Sequence, residues 1–165
     1  MKPCRNRRNA SELRDSVSAA YEEFGRPSLV PRLTALAAKT VIFDVEPLIA
    51  YWDSGQEALD RGIAQVLRRT VAVPGLKVIC FSTNSLRRPS LMPDTGTEVR
   101  VVYLAAAGKP LRTSLYRDFP KPGAVIGDQV ATDGILARRL GYTFLECRPP
   151  EDLPAGFRRA SRGAG

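Results

Sequence analysis

Five short apolar runs limit the possible folds of this chain more than any other feature. They span residues 40–44, 76–81, 99–103, 123–127 and 142–146. Continuous apolar runs of this length are typical of strands that are buried on both faces of a parallel sheet. Segments with helical spacing lie between several of them, at 55–69, 111–118 and 132–140. This alternation predicts an α/β fold, a three-layer Rossmann-like domain around a central, mainly parallel sheet.

All of these predicted elements fall in one domain of ordinary size, residues 27–150. Residues 1–26 are polar and basic, and we expect them to be disordered. Residues 151–165 form a basic tail that we expect to be flexible. The intervals between the predicted strands leave no room for a folded cap domain of about 50 residues. We therefore expect a domain with no cap, or a minimal one, and an open site.

The net charge of +8 is concentrated at the two ends of the chain. The basic residues there are Lys2, Arg5, Arg7, Arg8, Arg158, Arg159 and Arg162. Blocks of like charge at termini are commonly solvated tails. The same charges would also permit weak contact with an anionic surface. The sequence leaves both interpretations open.

The composition excludes several classes of active site. The chain has no histidine, and the spacing of Cys4, Cys80 and Cys147 fits no metal motif. A zinc site, a Ser-His-Asp triad and a Cys-His dyad are therefore excluded, and any metal must be held by oxygen atoms. Scattered cysteines fit a reducing cytoplasm. No apolar stretch reaches the length of about 18 residues that a transmembrane helix requires, and no apolar segment follows the basic N-terminus as in a secretory signal.

Polar side chains follow three of the predicted strands at the point where each strand ends. Asp44 ends the first run, Ser82, Thr83 and Asn84 follow the second, and Asp128 follows the fourth. Ligands of open parallel sheets bind outside the carboxyl ends of the strands. A lysine, Lys109, lies between the second and fourth strands in a Gly-Lys-Pro turn. Carboxylates, hydroxyls, an amide and an ammonium group at one edge suit the binding of a phosphoryl group and a hard metal ion.

Four segments in this order resemble the four motifs of the haloacid dehalogenase (HAD) superfamily. They are VIFDVE at 41–46, FSTNS at 81–85, GKP at 108–110 and VIGDQVATDG at 125–134. The last segment and the aromatic pair Tyr51-Trp52 are similar to the YqeG-like phosphatases of subfamily IIIA, which are related to phosphatidylglycerophosphatase. The resemblance covers roughly residues 27–148.

The resemblance implies a role for each polar residue. Asp44 would be the nucleophile and a Mg²⁺ ligand, and the backbone carbonyl of Glu46 would be a second metal ligand. Asp128 and Asp133 would complete the metal site, although Asp133 would also suit the N-terminal turn of a helix. Lys109 would assist catalysis and bind phosphate. Ser82 or Thr83, together with Asn84, would bind the phosphate oxygens.

Two positions depart from the family pattern Asp-x-Asp-x-Thr. Glu46 replaces the second aspartate, which normally acts as general acid and base, and Leu48 replaces the threonine. Glu46 keeps a carboxyl group but extends it by one methylene, so it is either a working acid/base or a remnant of lost function. The resemblance therefore implies Mg²⁺-dependent hydrolysis of a phosphomonoester on a small molecule, a lipid head group or a macromolecule. The alternatives are a lipid phosphatase of the phosphatidylglycerophosphate type and a non-catalytic binding module.

Overall fold

The computed structural model describes residues 29–50, 52–92 and 94–147 of the chain. The predictions made for the basic segments 1–26 and 151–165, and for Tyr51, lie outside the described residues. In the described part, none of the helices has the length and apolar character needed to cross a bilayer.

The described chain alternates strands with helices or turns. In order, the elements are α1 (Leu29–Ala35), β1 (Thr40–Asp44), α2 (Gln56–Thr70), β2 (Val78–Ser82), β3 (Arg100–Leu104), a 3₁₀ turn (Thr113–Tyr116), β4 (Gly123–Gly127), a π-helical turn (Val130–Gly134), α3 (Ile135–Leu140) and β5 (Thr143–Glu146). All five predicted strands are present, with boundaries that differ from the prediction by two residues at most.

The five strands form one sheet in the order β3-β2-β1-β4-β5. All four neighbouring pairs are parallel, so the predicted Rossmann-like fold with a parallel sheet is confirmed. Along the chain, β2 pairs with one side of β1 and β3 pairs with β2, and β4 then pairs with the other side of β1. The strand order therefore reverses between β1 and β4, and such a reversal is where α/β sheets form their binding crevices.

Both faces of the sheet are covered by apolar side chains, which explains why the strands are continuous apolar runs. On one face, Phe43 and Phe81 stack with their ring centroids 5.7 Å apart, in a cluster that includes Leu59 and Ile63 of α2. On the other face, Ile42 and Val125 belong to a cluster with Leu136 of α3. The burial on both faces fixes β1 and β4 as central strands and holds their carboxyl ends together.

Two predicted helices differ from their expected form. The segment 111–118 forms only the short 3₁₀ turn Thr113–Tyr116, because Pro110 and Pro120 bound it closely. The predicted helix 132–140 begins earlier, with a π-helical turn at Val130–Gly134, and continues as α3. Gly141, which follows Leu140, has φ of +68°, the left-handed conformation that glycine adopts readily at helix ends.

Candidate metal centre and its surroundings

Three aspartates meet at the carboxyl end of the sheet, where the strand order reverses. Asp44 is the last residue of β1, Asp128 follows β4, and Asp133 lies in the π-helical turn after it. Each contributes a carboxylate oxygen, and these oxygens all lie within 4.8 Å of one another. The structure therefore brings together three of the residues that the sequence assigned to a metal site.

Lys109 lies against this aspartate cluster. Its Nζ donates hydrogen bonds to Asp44 Oδ1 at 2.7 Å and to Asp133 Oδ1 at 3.0 Å. The lysine side chain is only 3% exposed, so both ion pairs are shielded from water. Burial alone would lower the pKa of Lys109, but Asp44 and Asp133 outweigh it and raise that pKa. Lys109 is therefore a permanent positive charge in this site.

Asn84 fixes the backbone that carries Lys109. The amide N–H of Lys109 donates to Asn84 Oδ1 at 2.8 Å, and Asn84 Nδ2 donates to the carbonyl of Lys109 at 3.1 Å. The preceding residue, Gly108, has φ of +66°, which a side chain would strain. Asn84 was expected to bind phosphate. In this structure its side chain instead ties the loop after β2 to the loop after β3.

Gly127 provides the space that Asp133 needs. A Cβ atom at this position would overlap the Asp133 carboxylate. Any larger residue would push that carboxylate away from Lys109 and from the other two aspartates. The glycine that precedes Asp128 is thus required by close packing at the end of β4.

The charges in the aspartate cluster do not balance. Burial raises the pKa of Asp44 well above its usual range, with further contributions from Asp133 and Asp128, while Lys109 opposes the shift. Burial and the nearby Asp133 raise the pKa of Asp128 to about 6. If all three carboxylates ionise, one ammonium group leaves a net charge of −2 in a largely buried site. Such a site favours either proton uptake or a bound divalent cation.

Two oxygen atoms of the cluster indicate that a cation fits there. Asp128 Oδ1 and Asp133 Oδ2 are buried, and neither has a hydrogen-bond partner among the described residues. Buried polar atoms without partners are rare and costly, and a cation between these two oxygens would compensate both of them. An all-oxygen donor set with a net charge of −2 is suited to Mg²⁺ or Ca²⁺.

Glu46 lies outside the aspartate cluster and is held by a second group of polar residues. Its side chain is fully buried, with 0% exposure. Thr83 Oγ1 donates to Glu46 Oε2 at 2.6 Å, and Ser85 Oγ donates to Glu46 Oε1 at 2.9 Å. Arg87 Nη1 lies 3.8 Å from Glu46 Oε1. We call Glu46, Thr83, Ser85 and Arg87 the glutamate clamp, because these contacts join the loop after β1 to the loop after β2.

The two hydroxyls considered for phosphate binding are both engaged elsewhere. Ser82 is fully buried, and its Oγ lies 2.6 Å from the hydroxyl of Tyr116, on the face of the sheet covered by the 3₁₀ turn. Thr83 is also fully buried and donates to Glu46. Thr83 would become free to bind phosphate only if Glu46 moved.

The sequence did not predict the clamp partners Ser85 and Arg87 or the contact of Tyr116 with Ser82. Arg87 contacts Ser54 as well as Glu46, with Nη2 donating to the Ser54 carbonyl at 2.8 Å. No regular spacing in the sequence indicated these contacts, because residues 84–86 bend and do not continue β2 as an extended strand.

Comparison with known proteins adds no family assignment. The chain matches no protein-family model, no curated protein and no solved structure. The fold and the site define the class of this protein. It is a Rossmann-like α/β domain with a cluster of aspartates, suited to a metal ion, at the point where its strand order reverses.

The raised pKa of Asp128 predicts how the stability of the metal-free protein depends on pH. Its folded-state pKa of about 6 exceeds the ordinary value of 3.8, so the folded state binds more protons between these values. The free energy of unfolding should therefore fall as the pH rises through about 6. Asp128→Asn cannot ionise and should lose less stability over the same range.

The measurement is urea unfolding in EDTA at about pH 4 and about pH 8. Saturating Mg²⁺ at the higher pH should stabilise the wild type more than Asp128→Asn. An equal loss of stability in the two proteins would contradict the assigned environment of Asp128.

Proposed function

We propose that this protein is a Mg²⁺-dependent phosphohydrolase of the HAD type, which cleaves a phosphomonoester through a phosphorylated Asp44. The observation that supports this best is the position of Asp44. It ends the central strand, beside two further aspartates, with one carboxylate oxygen bound to a buried ammonium group. A carboxylate that attacks phosphorus needs nearby positive charge to lower its repulsion from the phosphate dianion.

Each polar residue of the site has a role in the proposed reaction. Asp44, Asp128 and Asp133, with the backbone carbonyl of Glu46 that the HAD resemblance implies, would hold Mg²⁺. The metal ion would neutralise the phosphoryl oxygens and orient them for in-line attack. Asp44 would form a bond to phosphorus as the bond to the leaving oxygen breaks, and water would then hydrolyse the aspartyl phosphate. Lys109 would hold Asp44 in place and stabilise the charge on the transferring group.

Glu46 is the candidate general acid and base, but it would first have to leave the glutamate clamp. In its present position both carboxylate oxygens accept hydrogen bonds, from Thr83 and Ser85. Release of Glu46 would also free the Thr83 hydroxyl, one of the two hydroxyls that the HAD resemblance offers for phosphate binding. One movement would therefore supply both functional groups, and its free-energy cost would slow turnover.

A lipid phosphate is a second candidate substrate, favoured by exposed apolar residues that neighbour polar residues of the site in the sequence. Four large apolar residues are exposed and lie one or two positions after a polar residue of the site or the clamp. They are Leu86 after Ser85, Leu111 after Lys109, Val130 after Asp128 and Ile135 after Asp133. Leu86 and Leu111 are 82% and 75% exposed. Exposed apolar groups around a polar site suit a substrate with a phosphate head and an apolar body.

The first test of the proposed function concerns Asp44 and the metal. Wild-type protein should hydrolyse an aryl phosphate with Mg²⁺ and lose this activity in EDTA. Asp44→Asn should reduce turnover to background, because the amide cannot form the covalent intermediate. Asp118→Asn, at an exposed position away from the cluster, is the matched control and should keep full activity. Wild-type turnover by Asp44→Asn, or full activity without metal, would refute the proposed mechanism.

A second test compares Glu46→Gln with Ser85→Ala. If Glu46 transfers protons, Glu46→Gln should reduce steady-state turnover by about a hundredfold or more. Ser85→Ala loosens the clamp but keeps the carboxyl group, so it should preserve or raise the rate.

Circular dichroism and urea unfolding should accompany these rates. Small, equal effects of the two variants on turnover, with lower stability in both, would show that Glu46 has only a structural role. Background rates in the wild type and both variants would favour a non-catalytic binding module.

The lipid candidate is tested by removing the apolar residues. Leu86→Ser combined with Leu111→Ser should lower kcat/KM for phosphatidic acid in phosphatidylcholine vesicles and reduce co-sedimentation with them. Turnover of a soluble aryl phosphate should not change. Leu91→Ser, at a residue that is 83% exposed but not adjacent to a site residue in the sequence, is the control. Equal losses on both substrates would argue against a lipid.

A further inference from the structure

A pocket of about 210 Å³ lies away from the aspartate cluster. It is formed by the 3₁₀ turn, the segment that enters β4, and the end of α3 with the residue before β5. Lys121 precedes β4 and Tyr142 precedes β5, so these lining residues mark the amino ends of the strands. The aspartates lie at the carboxyl ends, and a strand of five residues is about 17 Å long. None of the residues assigned to the metal centre or the glutamate clamp lines this pocket.

The floor of the pocket is aromatic. Tyr116, Phe119 and Tyr142 all line it, and their exposed fractions are only 1%, 7% and 8%. The Tyr142 hydroxyl donates to the Phe119 carbonyl at 3.3 Å, and Phe119 packs edge-on to Tyr116 with centroids 6.0 Å apart. The floor is therefore held by packing and hydrogen bonding, and the guanidinium of Arg100 lies over the Phe119 ring, 5.4 Å from its centroid. Little aromatic surface is left for a ligand, so the floor gives the pocket its shape.

The rim of the pocket carries positive charge. Arg117, Lys121 and Arg139 line it, whereas no aspartate or glutamate does. None of the three forms an ion pair with a described carboxylate, and the side chain of Arg139 donates only to the Pro110 carbonyl, at 3.2 Å. Three cations around one cavity repel one another, and an anion bound between them would remove that repulsion.

The chemistry of the lining indicates the class of ligand. Arginine guanidinium groups present two parallel N–H donors, which match the oxygens of a phosphate better than a single charge does. The pocket is small, so the ligand should be a small molecule and not a long polymer.

We propose that the pocket between Arg117, Lys121 and Arg139 is a second anion site, which binds a small molecule that carries a phosphate group. This site is separate from the proposed catalytic site and does not depend on its activity. Two of its residues nevertheless connect to that site: Tyr116 pairs with Ser82 at the end of β2, and Arg139 binds the carbonyl next to Lys109.

Phenylphosphonate is a suitable probe, because it has a phosphate-like group on a benzene ring and a P–C bond that a phosphatase does not hydrolyse. Binding to the full chain should be measured by calorimetry in EDTA, which keeps metal out of the aspartate cluster. We expect saturable binding that is stronger than that of benzenesulfonate, which has the same ring but a single negative charge, and inorganic phosphate should bind about as well as the probe. Asp128→Asn should bind equally well, which separates this site from the metal centre.

Two double substitutions, each of which removes two positive charges, make the test specific. Arg117→Gln with Arg139→Gln should raise the dissociation constant by about tenfold or more, as expected for the loss of charge-assisted hydrogen bonds. Arg68→Gln with Lys77→Gln removes the same charge from exposed positions elsewhere and should change it by less than about twofold. Both pairs are surface changes, and circular dichroism checks their folding; if the first pair misfolds, Lys121→Gln alone takes its place.

Equal weakening by the two pairs would show non-specific attraction to a basic protein and would overturn the proposal. Absence of saturable binding to the wild type would overturn it as well. Loss of binding in Asp128→Asn, with no effect of the rim substitutions, would place the probe at the aspartate cluster instead. None of these outcomes depends on whether the protein is a phosphohydrolase, since no turnover is measured.

Discussion

The buried ammonium group of Lys109 is the interaction on which the rest of the site depends. It holds Asp44 and Asp133, which reach it from different segments of the chain. Removing one partner of a buried ion pair typically costs about 3–5 kcal/mol, because the remaining charge loses its compensation. The supporting features follow from this requirement. Asn84 fixes the lysine backbone, and Gly127 leaves room for the Asp133 carboxylate.

Residues that end buried strands could be placed from the sequence alone. Asp44 and Asp128 follow apolar runs whose burial on both faces requires central positions in a parallel sheet. Parallel strands align their carboxyl ends, so the meeting of these two aspartates followed from the pattern once the strands were recognised. The fold was predictable for the same reason. Runs of several apolar residues identify the strands, and burial of both faces of these strands indicates a parallel sheet.

Loop side chains were much less predictable. Glu46, Thr83, Ser85 and Arg87 all lie outside the regular repeat of a strand or helix, so no period indicates where their side chains point. Their hydrogen bonds depend on the path of two loops that are distant in sequence. The same limit applies to the segment 111–118, where flanking prolines reduced an expected helix to a 3₁₀ turn. Resemblance to a motif supplied roles for these residues but not their contacts.

The connection from β2 to β3 differs from the other crossovers of the sheet. Parallel strands are usually joined through a helix, but residues 83–92 and 94–99 contain none. Such a segment has few backbone hydrogen bonds of its own and should be among the first parts of the domain to open in hydrogen exchange. Its attachment to β1 runs through Thr83, Ser85 and Arg87. Movement of Glu46 would loosen the clamp hydroxyls that accept hydrogen bonds from the amides of Ser85 and Arg87, while the Ser90 N–H would stay bound to Asp60 of α2. The exchange rates of those two amides would then report the state of a single carboxylate.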